Sequence, residues 1–229
     1  MMREWDVESH TLPNGINVVW EHIPFTTSVY MAFWVKAGSQ YEAPQEAGLA
    51  HLAEHLFFKG SQKRSGIEIA RSIEATGGYL NAFTDKEYSC YYVHLLPHYL
   101  PQAIEVLTEM LRAPLLSPED LQREKRVVLE EIYRLKDTPE EWVDELYAQA
   151  CWDGHPLGHP VLGYPETVER LKREQLEAFV QRLYRPERML VVAAGNFEPQ
   201  ALLEPLAENW EREERGDPPA EPAPPRFRR

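Results

Sequence analysis

Apolar and polar positions along the 229-residue chain change period several times, and each change predicts an element. ESHTLPNGINVVWEHI, residues 8–23, sets an Asn-Gly pair between two short alternating runs, which predicts a hairpin. In SVYMAFWVKAGS, residues 28–39, Val29, Met31, Phe33 and Val35 alternate with the opposite face, so a further strand follows, broken at Gly38. AGLAHLAEHLFF, residues 47–58, changes to helical spacing, and SGIEIARSIEATGG reads as a short helix ended by a glycine pair. YLNAFTDKEYSCYYVHLL, residues 79–96, predicts two strands joined by a polar turn at Asp85 and Lys86. Two strong helices come next, over 97–113 and 117–137. The second has Ser117 as N-cap, Pro118 at its first position and acids in its first turn.

From Pro139 the pattern continues as helix, then a Gly/His/Pro loop, a helix near 166–183, the strand RMLVVAAG and an amphipathic helix to about 213. Strands and helices come in clusters rather than in strict alternation, which predicts an α+β fold with a mostly antiparallel sheet covered by helices. One domain is expected over 1–215. The Pro-rich end 216–229 reads as a linker or tail, because it cannot form a regular packed element.

Composition narrows the function classes. A 43% hydrophobic content is enough for a sizeable core, and the net charge of −13 leaves no basic stripe to neutralise phosphates, so nucleic acid is not an expected partner. MMREWDVESH has no apolar leader and no later stretch approaches the ~18 apolar residues of a membrane span, so a soluble, cytoplasmic protein without a membrane partner is expected. Cys90 and Cys151 belong to no CxxC pair and point to no sulfur-ligated metal.

HLAEHLFFKG, residues 51–60, carries the chemistry. On a helix His51 and His55 are i and i+4, so their rings project from one face and can meet one zinc ion at about 2.0–2.1 Å. Glu54 lies beside them, placed to accept a proton from a metal-bound water rather than to bind metal. The HxxEH order reverses the HExxH of many zinc peptidases. A catalytic zinc usually has a third protein ligand and an open position. The helix over 117–137 offers Glu130 and Glu131, and Glu124 lies nearly two turns before Glu131 on the same face, as a ligand and an outer partner would. Spacing alone leaves Glu130 and Glu131 both open.

Taken together, HLAEHLFFKGS, GGYLNAFTDKEYSCYYVHLL, EKRVVLEEIYRLKDTPEE and RMLVVAAGNF resemble the pitrilysin family of zinc metallopeptidases, relatives of insulin-degrading enzyme and mitochondrial processing peptidase. The resemblance implies a zinc endopeptidase acting on extended or unfolded peptides. His51, His55 and Glu131 match the family's Zn2+ ligands, Glu54 its general base and Glu124 a second glutamate that supports the site. Asn81, Ala82 and Thr84 match a sheet-edge strand beside the metal, to which a peptide substrate adds as a further strand. Phe58, with Phe57, follows the motif and is a candidate pocket lining. Family members pair a zinc-bearing half with a second half that closes over the substrate, and too few residues follow RMLVVAAG for that half. A second pitrilysin-like half, on the same longer chain or as a partner subunit, is therefore an expected partner. The alternative is a non-catalytic scaffold subunit of a processing-peptidase-like complex, which has no physical need for His51, Glu54, His55 and Glu131 together.

Overall fold

The computed structural model describes residues 6–152, 154–211, 216 and 220–224. The Asn-Gly signal is realised as a hairpin in which β1 (Val7–Thr11) pairs antiparallel with β2 (Asn17–His22), with Gly15 at φ 102° in the turn. β3 (Val29–Val35), β4 (Tyr79–Thr84), β5 (Ser89–Leu95) and β6 (Met189–Gly195) complete one six-stranded sheet in the order β1-β2-β6-β3-β5-β4. All pairs are antiparallel except β2–β6. Phe33 faces Tyr91 across one ladder and Val191 across the other, and all three are buried, so alternate positions of the central strands build one continuous apolar face.

Helices cover that face. α1 (Leu49–Phe57), α2 (Gly66–Glu74) and α3 (Leu100–Arg112) lie between the strands in sequence. α4 (Pro118–Lys136) and α5 (Pro139–Cys151) follow, and α4 starts as expected, with Ser117 Oγ accepting from Asp120 N–H at 3.1 Å. The helix expected near 166–183 is two, α6 (Pro165–Arg170) and α7 (Arg173–Leu183). Leu171 between them is extended at ψ 138° and buried, and Lys172 N–H is capped by Gln175 Oε1 at 2.9 Å. Burying Leu171 takes precedence over continuing the helix. α8 (Pro199–Trp210) ends by seating Trp210 in the core.

The sheet's other face is aromatic and open. Tyr30, Trp34, Phe83 and Tyr92 touch one another and Tyr79 and Tyr88 in a chain of tilted and edge-on ring contacts, with Tyr79 and Phe83 exposed. Most of the proline-rich stretch 216–229 lies outside the described residues. Within it, Glu221 accepts from the Tyr41 hydroxyl at 2.6 Å and pairs with Lys36 at 3.6 Å. No described helix is long and apolar enough to cross a membrane.

Candidate metal centre

α1 is positioned from outside itself. Gly48 caps it at φ 95°, where a Cβ would meet the Leu162 carbonyl at 2.7 Å. Glu42, only 4% exposed, reaches its first turn and accepts from Gly48 N–H at 3.0 Å and Ala50 N–H at 2.6 Å. A carboxylate at a helix N-terminus satisfies orphan donors and complements the helix dipole. Burial nevertheless pushes the Glu42 carboxyl up from 4.5 to about 8, against the backbone N–H groups that favour its charged form. A folded value above the unfolded one contributes stability in full below about pH 4.5 and loses it as pH rises through about 8. Glu42→Gln, which keeps an acceptor but cannot ionise, is therefore expected to show a flatter loss of urea midpoint than wild type between about pH 6 and 8. Parallel slopes for the two proteins would refute this.

With α1 so placed, His51 and His55 face α4. Their rings lie 4.6 Å apart, and Glu131 Oε2 approaches His51 Nε2 at 3.8 Å and His55 Nε2 at 3.7 Å. Ligand atoms of all three lie within 4.8 Å of one another. Of the two glutamates that spacing left open, Glu130 is exposed and Glu131 turns toward α1. Glu131 Oε2 and His51 Nδ1 are buried without a hydrogen-bond partner among the described residues. Burial, with a smaller contribution from His55, lowers His51 from 6.5 to about 3, which keeps its ring neutral and its lone pair available.

These observations fit a zinc site. The donor set is two imidazoles and one carboxylate, and small side-chain adjustments bring the observed spacing to the ~3.3 Å between ligand atoms of a tetrahedral zinc. An orphaned carboxylate oxygen between two histidine nitrogens is costly unless something positive lies between them.

Glu54 and Glu124 flank this group differently. Glu124, 7% exposed, holds His55 Nδ1 at 3.0 Å through Oε2 and Lys59 Nζ at 2.9 Å through Oε1. Glu54 accepts from Thr84 Oγ1 at 2.6 Å, and burial raises its carboxyl above the ordinary value, partly countered by that hydrogen bond. Thr84 thus touches Glu54 through its side chain, besides lying on the neighbouring strand. No spacing rule links residues 54 and 84; only the approach of β4 to α1 reveals the contact.

β4 is a sheet edge, as expected of the strand carrying Asn81, Ala82 and Thr84. Asp85 N–H donates to the Tyr88 carbonyl at 2.8 Å, so residues 79, 81 and 83 pair inward with β5 and the backbone groups of Leu80, Ala82 and Thr84 point outward. Asn81 Oδ1 accepts from the outward Ala82 N–H at 2.9 Å, and Asn81 Nδ2 donates to the Tyr79 hydroxyl at 2.6 Å. Phe58 is not gathered into this group: it is half-buried against the hydrophobic core, while Phe57 is buried beside Tyr91 and Tyr184.

Known proteins resemble this chain in sequence and in fold. The model for insulinase (peptidase family M16) matches residues 17–164, and that for the peptidase M16 inactive domain matches 170–229. The second segment supplies α7, β6 and α8 and none of the residues gathered at the site. An uncharacterized zinc protease of Mycobacterium tuberculosis is 40% identical over 200 residues, covering 87% of this chain and 46% of the relative. A probable mitochondrial-processing peptidase subunit beta of Schizosaccharomyces pombe is 37% identical over 204 residues, covering 89% and 44%. Among solved structures, a protease from Helicobacter pylori superposes with TM-score 0.88 at 25% identity, over 96% of this chain and 54% of that one. The chain therefore spans about half the length of the curated relatives it matches. The family model covers more than half of this chain and a relative is 40% identical over 87% of it, so the chain belongs to the insulinase, or M16, family of peptidases.

Proposed function

We propose that this chain is the zinc-bearing half of an endopeptidase that hydrolyses extended or unfolded peptides. The observation that carries the reading is the convergence of His51, His55 and Glu131, with the Glu131 Oε2 buried and without a hydrogen-bond partner among the described residues. His51, His55 and Glu131 would hold zinc, which when bound supplies a Lewis acid that acidifies water and polarises a carbonyl. Glu54 takes the proton from the attacking water and delivers it to the leaving amine. Thr84 fixes the Glu54 carboxylate, and Glu124 orients the His55 ring. The outward backbone groups of Leu80, Ala82 and Thr84 pair with an extended peptide, for which Asn81 releases the Ala82 N–H. Main-chain pairing accepts any extended sequence, so side-chain pockets set specificity.

Residues 1–215 act as one unit in this reading, with 216–229 as a link or tail. A second pitrilysin-like half, fused or as a partner subunit, supplies the other wall of the substrate chamber. Relatives about twice the length of this chain support that expectation.

The test is metal content of the purified chain together with cleavage of a quenched fluorescent peptide, with and without chelator and with and without the second half. Stoichiometric zinc, with chelator-sensitive cleavage that rises when the second half is added, is the expected result. No zinc would refute the reading; zinc with no cleavage under any pairing would favour a scaffold subunit.

Thr84→Val, which keeps shape and removes the hydroxyl, is expected to leave zinc content unchanged and lower kcat about tenfold, the worth of one hydrogen bond to a charged group. Unchanged kcat in steady-state assays would remove Thr84 from the base's support.

A further inference from the structure

We propose that Lys59 is a positioning residue for the metal centre: it holds the far oxygen of Glu124 and so locks the carboxylate that orients His55. The inference rests on the zinc reading above and adds a residue that this reading does not use. Lys59 continues the spacing that unites the histidines, since 51, 55 and 59 are successive i, i+4 positions. α1 ends at Phe57, and the backbone at Lys59 is held there, with its N–H on the Leu56 carbonyl at 3.0 Å and its carbonyl accepting from Gly66 N–H at 3.2 Å. The side chain then has a fixed origin from which to reach Glu124 Oε1 at 2.9 Å, and remains 39% exposed.

Two arguments give this contact a function. The first is geometric. With only Oε2 held by His55 Nδ1, a carboxylate can turn about its last torsion and carry the ring with it; with Oε1 held as well, its plane is fixed. His55 Nε2 is then held toward Glu131. The second is electrostatic. Glu54, Glu124 and Glu131 bring three carboxylates to one part-buried cluster, and a divalent ion leaves one negative charge over. Lys59 balances it, which matters most for Glu124, the most buried of the three.

The experiment measures zinc affinity of the purified chain by competition with a chromogenic chelator, with thermal unfolding of the metal-free proteins as the folding control. Lys59→Met keeps the aliphatic stem and is expected to weaken zinc binding about 10–100-fold while the metal-free protein still unfolds cooperatively, and Lys59→Arg should restore most of the affinity. In a Glu124→Gln background, Lys59→Met should add less than about a twofold loss, because the lysine acts through the missing carboxylate. Unchanged affinity in Lys59→Met, failure of Lys59→Arg to rescue, or a full additive loss beside Glu124→Gln would each overturn the proposal. A wild-type chain that takes up no zinc would overturn the metal reading itself, and this inference with it, a result distinct from the other three.

Discussion

Zinc content should fall to background when His55 is replaced by alanine, while far-ultraviolet circular dichroism stays that of the wild type. His55 is the most connected residue of the centre: Nε2 points to Glu131 at 3.7 Å and Nδ1 is held by Glu124 at 3.0 Å. Truncation removes a donor and also leaves Glu124, among the described residues, tied to Lys59 alone. The loss in affinity should exceed the ~10–100-fold expected for an outer partner, because only two donors would remain. Helix α1 should persist, since its core contacts come from Leu49, Leu52, Ala53, Leu56 and Phe57 on its other side. Metal analysis after dialysis against a weak chelator checks this. Full zinc occupancy in His55→Ala would mean that the metal lies elsewhere.

Glu54→Gln should separate binding from chemistry. The amide keeps the size of the carboxylate and still accepts from Thr84, but it cannot take a proton. Zinc content should therefore match wild type, and kcat of the assembled peptidase should fall about 10²–10⁴-fold with little change in KM. The measurement is steady-state cleavage of a fluorogenic peptide beside metal analysis of the same preparation. A variant that loses zinc as well would make Glu54 a ligand; a variant that keeps its kcat would remove it as the base.

Much of this arrangement can be read along the chain, and the residues that escape such reading share a reason. The strands and helices follow local periodicity, and the structure departs from it chiefly at Leu171, which is pulled into the core and breaks one expected helix into two. That β6 enters the sheet between β2 and β3 is invisible in the sequence, because its partners lie more than 150 residues away, from Val35↔Met189 to Asn17↔Leu190. The same holds for Glu42, whose distance from the helix it caps matches no local capping pattern. The open aromatic face is a different case. Tyr30, Trp34 and Tyr92 lie on the alternate positions of strands that are apolar on both sides, and period alone cannot tell which side helices will cover.

The sequence by itself determined the pairing of His51 with His55, the place of Glu54 beside them and the shared face of Glu124 and Glu131, because 3.6 residues per turn requires these neighbours on any helix. Only the tertiary structure decided that Glu131 rather than Glu130 meets the histidines, that Thr84 holds Glu54, and that Lys59 and His55 share Glu124. Those contacts depend on the angle and depth at which α4 and β4 approach α1. That approach is set by packing of the buried apolar faces, a property of the whole core that no single stretch of chain encodes.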